Sequence, residues 1–388
     1  MQPLSGVRVV DMATVLAGPA TARYLADFGA DVVKVEAPDG DGTRRMGWRL
    51  PSDPDSLLWK LVGRGKRSVV LDLKSDAGRT SMLRLCDRSD VLIENSRPGA
   101  LERLGLSPAV LHERNPRLVI LRVTGFGQDG PYADRPGFAT LAEALSGFAA
   151  INGDPDGAPL LPPIALTDEV TGLVGAFAVM VALRHAERTG EGQEVDVNLL
   201  ESMFQIMGPL VSAYAHLGVL QSRLGSGIPY SVPRGTYRAS DGRWLAISTS
   251  AETVAGRVMD LVGLGSDSRF ATFEGRVEHR DEIEAHMRDW IAARTSTEVF
   301  EAFMAAEAAI APVYTMADVA VDPHVAERGA IVEVDGVRMQ GLVARLSVTP
   351  GHIRYAGRPL GADTEAVLAE LAATDEGAPD MTSPEEGG

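Results

Sequence analysis

The sequence predicts an α/β protein built on a doubly wound parallel sheet. Three observations carry this. Short runs rich in Val, Ile and Leu recur through the first 125 residues, helical periodicity fills the gaps between them, and those gaps suit helical crossovers. Residues 7–10, 31–36, 68–73, 90–94 and 118–123 read as buried strands. Pro19 opens a helix that Gly29 closes, with Ala22, Leu25, Ala26 and Phe28 between, and Ser75 caps a helix carrying Met82, Leu83 and Leu85. From Gly137 the period turns helical: Leu141, Ala144, Leu145 and Phe148, then a helix after Asp168, then residues 199–217. Residues 194–197 form a further strand between the last two. The segment 225–235, GSGIPYSVPRG, breaks the pattern and marks a domain boundary or mobile loop. A smaller α+β unit follows, with strands at 244–248 and 311–315 and helices around 253–262, 280–293 and 296–306. Beyond Gly329, residues 331–334 and 337–339 flank the turn pair Asp335 and Gly336 as a hairpin. Asp363 caps a last helix through Leu371, and the acidic end, 373–388, is expected to be disordered.

Composition narrows the function. A chain of 388 residues exceeds what one core usually organises, so two domains are expected, or a large domain with a smaller one inserted. With 45% hydrophobic and 23% charged residues it reads as a soluble globular protein, and no uninterrupted apolar run is long enough to span a bilayer. The start, MQPLSGVRVVDMA, lacks the basic and apolar segments of a secretory signal, and the single Cys86 excludes an internal disulfide, which points to the cytoplasm. A net charge of −16 argues against nucleic-acid binding. Positive residues still cluster at Arg64, Lys66, Arg67, Arg97 and Arg103, so a local anion site stays open.

Several motifs fail on context. Gly125, Gly127 and Gly130 spell GxGxxG after a strand, yet Pro131 and Pro136 prevent the helix that a dinucleotide loop must open. Glu36 resembles an acidic ribose ligand, but the turn before it has no glycine fingerprint. The seven histidines are scattered with no HExxH, so no metal site is expected. Ser202 and Ser231 lack a nucleophile elbow. Met203 and Met207 fit a core face, and Lys66 with Arg67 fits either a solvated turn or an anion contact.

The stretch PPIALTDEVTGLVGAFAVMVALRHAERTGEGQEVDVNLLES places Asp168 at a helix N-terminus. Unpaired N–H groups and the helix dipole would favour its ionised form there. Two readings stand side by side: an ordinary cap, or a carboxylate nucleophile available at neutral pH.

Collinear blocks resemble one family, the family III CoA-transferases, which include formyl-CoA:oxalate and carnitine-related transferases and α-methylacyl-CoA racemases. The blocks are GVRVVDMATVLAGP, ADFGADVVKVEAPDGDGTR, GRGKRSVVLDLKS, DVLIENSRPGALERLGL, VTGFGQDGP, the Asp168 stretch, APVYTMADVAVDPHVAERG and RPLGADTEAVLAEL. The resemblance implies a Rossmann-like large domain, 1–224 plus 330–372, an inserted smaller α+β domain, 225–329, and an interlocked homodimer. It implies that Asp168 attacks an acyl-CoA thioester to give an aspartyl-acyl anhydride and then an aspartyl-CoA thioester. CoA and acyl-CoA would be substrates, with no tightly bound cofactor and no metal, nucleic-acid or membrane partner. By the same resemblance Val15, Leu16 and Ala17 lie beside the thioester and Lys34 and Glu36 near the nucleotide. Arg64, Lys66, Arg67, Leu71, Asn95, Arg97 and Arg103 are the remaining CoA contacts, and Gly225, Ser226 and Gly227 match a shielding glycine loop. Two departures bear on specificity. Leu16 replaces the Gln of oxalate-using members, whose glycine loop is also longer, and Phe138 replaces the proton-shuttling His of racemases, which a 1,1-proton transfer requires. Transferase is the reading kept, with the racemase and a non-catalytic CoA-binding protein as its alternatives. Leu16 and Phe138 imply an acyl group less polar than oxalate.

Overall fold

Strands form where the apolar runs predict them. The computed structural model describes residues 1–375, and its main sheet comprises β1 (Arg8–Asp11), β2 (Asp31–Glu36), β3 (Lys66–Val70), β4 (Val91–Glu94), β5 (Val119–Thr124) and β6 (Glu194–Asn198). All pairings are parallel, in the order β3-β2-β1-β4-β5-β6. The order reverses between β1 and β4. Alternation along each strand feeds two cores. Val9, Val32, Val91, Ile93, Val119 and Leu121 pack on one face beneath the Ala17–Asp27 and Leu166–Thr189 helices. Val10, Val33, Val35, Val69, Leu92 and Ile120 pack on the other, with the Asp76–Asp87, Pro108–Arg114 and Thr364–Asp375 helices. At about 1.5–3 kcal/mol for each fully buried aliphatic side chain, these two layers dominate the unit's stability.

Glycine sets how closely the first pair of helices approach. A Cβ on Gly172 would lie 2.7 Å from the Ala20 Cβ, and one on Gly175 would lie 2.4 Å from the Thr21 Oγ1. Thr21 also donates its hydroxyl to the Gly172 carbonyl at 3.0 Å. Asp168, one turn before Gly172, is thereby held beside the start of the Ala17–Asp27 helix. The Leu166–Thr189 helix is long as well as closely packed. It has 24 residues and a window of mean hydropathy 1.6, long and apolar enough by length and composition to cross a membrane. Charged residues at both ends leave 170–183 as its longest run without Asp, Glu, Lys or Arg, short of a bilayer span, as the sequence predicts.

The chain divides into two compact units. The larger holds 1–146, 162–206 and the described residues from 327 on; the smaller holds 147–161 and 207–326. The expected boundaries were 225 and 329, so the structure moves the first of them and adds the 147–161 excursion. The reason lies in the run 199–217, read as one helix. It is two, Leu199–Gln205 and Leu210–Leu217, broken where Gly208 takes φ 62° before Pro209. The smaller unit has an antiparallel sheet, β7 (Arg234–Arg238), β8 (Trp244–Ser248) and β9 (Ile310–Pro312). β7 occupies part of the segment read as a loop, and β9 is shorter than the expected 311–315. Tyr237, Leu245, Ile247, Ile283, Met287, Val299 and Phe303 form this unit's core. In the larger unit β10 (Ile331–Val334) and β11 (Val337–Gln340) form the predicted hairpin, with Asp335 and Gly336 both at positive φ. The last helix runs to Asp375 rather than Leu371, and the acidic end from 376 lies outside the described residues.

Candidate active site

An open parallel sheet accepts ligands beyond its strands' C-terminal ends, where the strand order reverses. Here that point lies between β1 and β4, and a crevice of about 240 Å³ opens there. Thr14 to Ala17 after β1, Asn95 to Pro98 after β4, the end of β5 and the 133–139 loop line it, together with Asp168. Asn95 ties two of these segments together: its Nδ2 donates to the Thr14 carbonyl at 2.6 Å and its Oδ1 accepts the Thr14 N–H at 2.8 Å. Val15 takes φ 66°, a left-handed conformation rare for a β-branched residue and typical of strain held at functional sites. The Ala17–Asp27 helix then begins with no side-chain cap, which leaves its first N–H groups to the crevice. Gly125 and Gly137 meet back to back, since a Cβ on either would lie 2.5 Å from the other's Cα. The first glycine of the GxGxxG match therefore folds the loop after β5 onto the crevice, and it opens no dinucleotide site.

A second crevice, about 530 Å³, lies at the ends of β2 and β3 and shares Thr14 with the first. Leu71 and Lys74 line it. Lys74, exposed and just past β3, was missed in the sequence, although strand polarity could have singled it out over Lys66 at the strand's start.

Asp168 is half-buried, and among the described residues its carboxylate has no hydrogen-bond or ion-pair partner. The cap reading fails, because the N-cap position is Ala165 and Asp168 sits inside the first turn. Burial and like charge work against the helix terminus's preference for the ionised form. Burial, then the charges of Glu143 and Glu169, push Asp168 up to about 6. At pH 7 roughly nine-tenths would still be ionised. Glu169 is engaged by Arg23 at 2.8 Å and by the Tyr24 hydroxyl at 2.9 Å. Glu143 is buried and accepts the Thr167 hydroxyl at 2.9 Å. Sequence reasoning passed over Glu143 as part of an apolar helix; a lone acid in the run LAEALSG was the available signal.

The predicted cations separate into two groups. Arg64 is buried in a two-pronged pair with Asp27, at 3.0 and 2.6 Å, and also donates to the backbone carbonyls of Gln340 and Gly341. Lys66 is buried against Asp11 at 2.8 Å and the Pro19 carbonyl at 2.6 Å, and burial lowers it to about 8. Lys34 lies between Asp11 and Asp41, at 3.7 and 3.3 Å, and Glu36 is held by both prongs of Arg44. Arg67 pairs with Asp31 and Glu370. The expectation that Arg64, Lys66 and Arg67 bind CoA is therefore corrected: they stand at the N-terminal end of β3, on donors already matched to carboxylates. Lys34 and Glu36 border the second crevice but are buried in the same way. Arg97 and Arg103 are exposed and, among the described residues, meet no carboxylate; Arg97 lines the first crevice. Val15, Leu16, Ala17, Asn95 and Phe138 line it too. Gly225, Ser226 and Gly227 lie in the smaller unit, where they line a cavity with Arg234 and Thr236, and the Ser226 hydroxyl stands 3.0 Å from that of Thr236. Among the described residues no group of three His, Cys, Asp or Glu could hold a metal ion.

Comparison with known proteins extends over nearly the whole chain. The β subunit of succinyl-CoA–L-malate CoA-transferase from Chloroflexus aurantiacus is 42% identical over 381 residues, 95% of this chain and 94% of the relative. Succinate–glutarate CoA-transferase from Agrobacterium fabrum is 35% identical, covering 95% and 96% of the two chains. A crystal structure of a CAIB/BAIF family protein from Brucella suis superposes with a TM-score of 0.85 at 32% identity, over 95% of this chain and 99% of that one. With residues 4–364 matching the model of CoA-transferase family III, and a crevice at the sheet's switch point that Asp168 lines, the chain belongs to that family and is an acyl-CoA:carboxylate CoA-transferase.

Proposed function

We propose that Asp168 is the covalent residue of CoA transfer. An Asp168 carboxylate oxygen attacks the thioester carbonyl, the C–S bond breaks, and CoA leaves as thiolate from an aspartyl-acyl anhydride. The thiolate then attacks the Asp168 carbonyl, freeing the donor carboxylate and leaving an aspartyl-CoA thioester. An acceptor carboxylate attacks that thioester and releases the thiolate again. The thiolate takes the acceptor's acyl group from the second anhydride and restores Asp168. No proton is gained or lost. Each intermediate retains the thioester's energy, and holding the reactants together replaces the strong nucleophile that a carboxylate is not. The observation that carries this reading is the Asp168 carboxylate itself: partly desolvated, without a partner among the described residues, and beside the uncapped helix start whose N–H groups suit a developing oxyanion.

The CoA nucleotide lies over the second crevice, toward Leu71 and Lys74, with the pantetheine passing Thr14 to Ala17; Arg97 and Arg103 supply phosphate contacts. Leu16 and Phe138 favour an acyl group less polar than oxalate. The working enzyme is an interlocked homodimer. Phe177 at 72% exposure in the larger unit, and Leu217 at 76% and Leu220 at 79% in the smaller, are apolar surface that a second copy would cover. The buried Cys86, its thiol pushed up to about 12 by burial, suits a reducing cytoplasm. The test is Asp168→Ala. It abolishes exchange while CoA still binds, and hydroxylamine or borohydride traps an Asp168 adduct in wild type alone. Normal turnover by the variant would remove Asp168 from this role. The wild-type protein exchanges no α-deuterium in a 2-methylacyl-CoA; rapid exchange would restore the racemase reading.

A further inference from the structure

We infer that Arg135 receives the distal carboxylate of a dicarboxylic acyl group, so that the acids exchanged are short dicarboxylates; this rests on the transferase reading with Asp168 as the covalent residue. Position supports it first. The second crevice lies at the ends of β2 and β3, whereas Arg135 follows β5, on the other side of the switch point, and lines the crevice that holds Asp168. With the nucleotide over β2 and β3, Arg97 after β4 is the nearer of the two crevice arginines to the phosphates, and Arg135 after β5, one strand farther away, stands on the acyl side.

Its state supports it next. The side chain is exposed, and among the described residues it meets no carboxylate. Its guanidinium lies 3.7 Å from the Tyr132 ring centroid, and Tyr132 packs edge-on against Phe126 at 5.9 Å. A guanidinium stacked by its face keeps its N–H edge free, which is the geometry a carboxylate takes in a two-pronged pair. The contact of Gly125 with Gly137 pins the loop that carries it. Leu16 and Phe138 line the same crevice and suit the methylenes of a short chain, which oxalate lacks. A monocarboxylic acyl group would bring no charge to Arg135, and on a chain of net charge −16 a local cation is needed to draw in a dianion.

The experiment compares succinyl-CoA with butyryl-CoA, nearly the same size but lacking the distal charge, as donors to wild type, Arg135→Gln and Arg135→Lys. Wild type favours succinyl-CoA in kcat/KM by at least about thirtyfold, as expected for one charge-assisted pair. Arg135→Gln brings that ratio toward unity, and Arg135→Lys restores part of it. A ratio near one in wild type, or an Arg135→Gln loss equal for both donors, would overturn the assignment while leaving the transferase reading intact. A folded wild type that exchanges neither donor and traps no Asp168 adduct would overturn both. Circular dichroism and CoA binding by Arg135→Gln separate a specificity change from misfolding.

Discussion

Arg64, just before β3, and Arg97, just after β4, are the same residue type beside the same sheet. Arg64 is buried with every prong matched to Asp27 or to a backbone carbonyl. Arg97 is exposed, meets no carboxylate among the described residues, and stands at the edge of the Asp168 crevice. Lys66 repeats the first condition; Arg135 repeats the second, and Arg103 and Lys74 share its exposure and, among the described residues, its lack of a carboxylate. The difference teaches that strand polarity sorts these cations. Later segments of the chain close over the start of β3, whereas the C-terminal ends of the strands stay open to ligand.

Arg64→Ala should give the largest effect. It leaves Asp27 charged and buried, so denaturant unfolding should show a loss of about 3–5 kcal/mol. A stable variant with weakened CoA binding would break the comparison. Asp168→Asn should act in the opposite sense. Asp168 rises from the ordinary 3.8 to about 6 in the fold, so the stability linked to its protonated form is full below about pH 4 and is lost as pH rises through 6. At about 1.4 kcal/mol per pH unit, Asp168→Asn gains up to about 3 kcal/mol at pH 7.5, and the gain narrows toward pH 5.5. Equal gains at both values would show that charge is not the cause.

Arg97→Ala should leave the unfolding midpoint within about 0.5 kcal/mol of wild type while weakening acyl-CoA binding by about 1.5–3 kcal/mol, read as a raised KM. Unchanged KM would move the phosphate contact elsewhere. Smallest is Glu143→Gln. Removing one of the charges that raises Asp168 should move the acidic limb of kcat/KM below its expected position near pH 6, by less than about one pH unit. An unmoved limb would assign it to another group.

Much of the fold could be read before any coordinates. Four of the first five strands of the main sheet, and β6 besides, were placed within one residue, and β3 within three, because runs of Val, Ile and Leu buried on both faces leave a local trace. The Asp335 and Gly336 turn and the Ser75 cap, which accepts the Gly78 N–H at 3.0 Å, are equally local. The break at Gly208 and Pro209 was local too and was passed over, since the apolar period continues across it.

The sequence by itself determined the strands, their helical crossovers, the family and the position of Asp168 near a helix N-terminus, since each depends on neighbours within a few residues or on collinear blocks. Only the tertiary structure decided which cations remain available and what state Asp168 holds. Arg64 meets Gln340, Arg67 meets Glu370, and Asp168 feels Glu143. Those encounters join residues far apart in the chain, and burial sets their charge energies only once the sheet has brought them together.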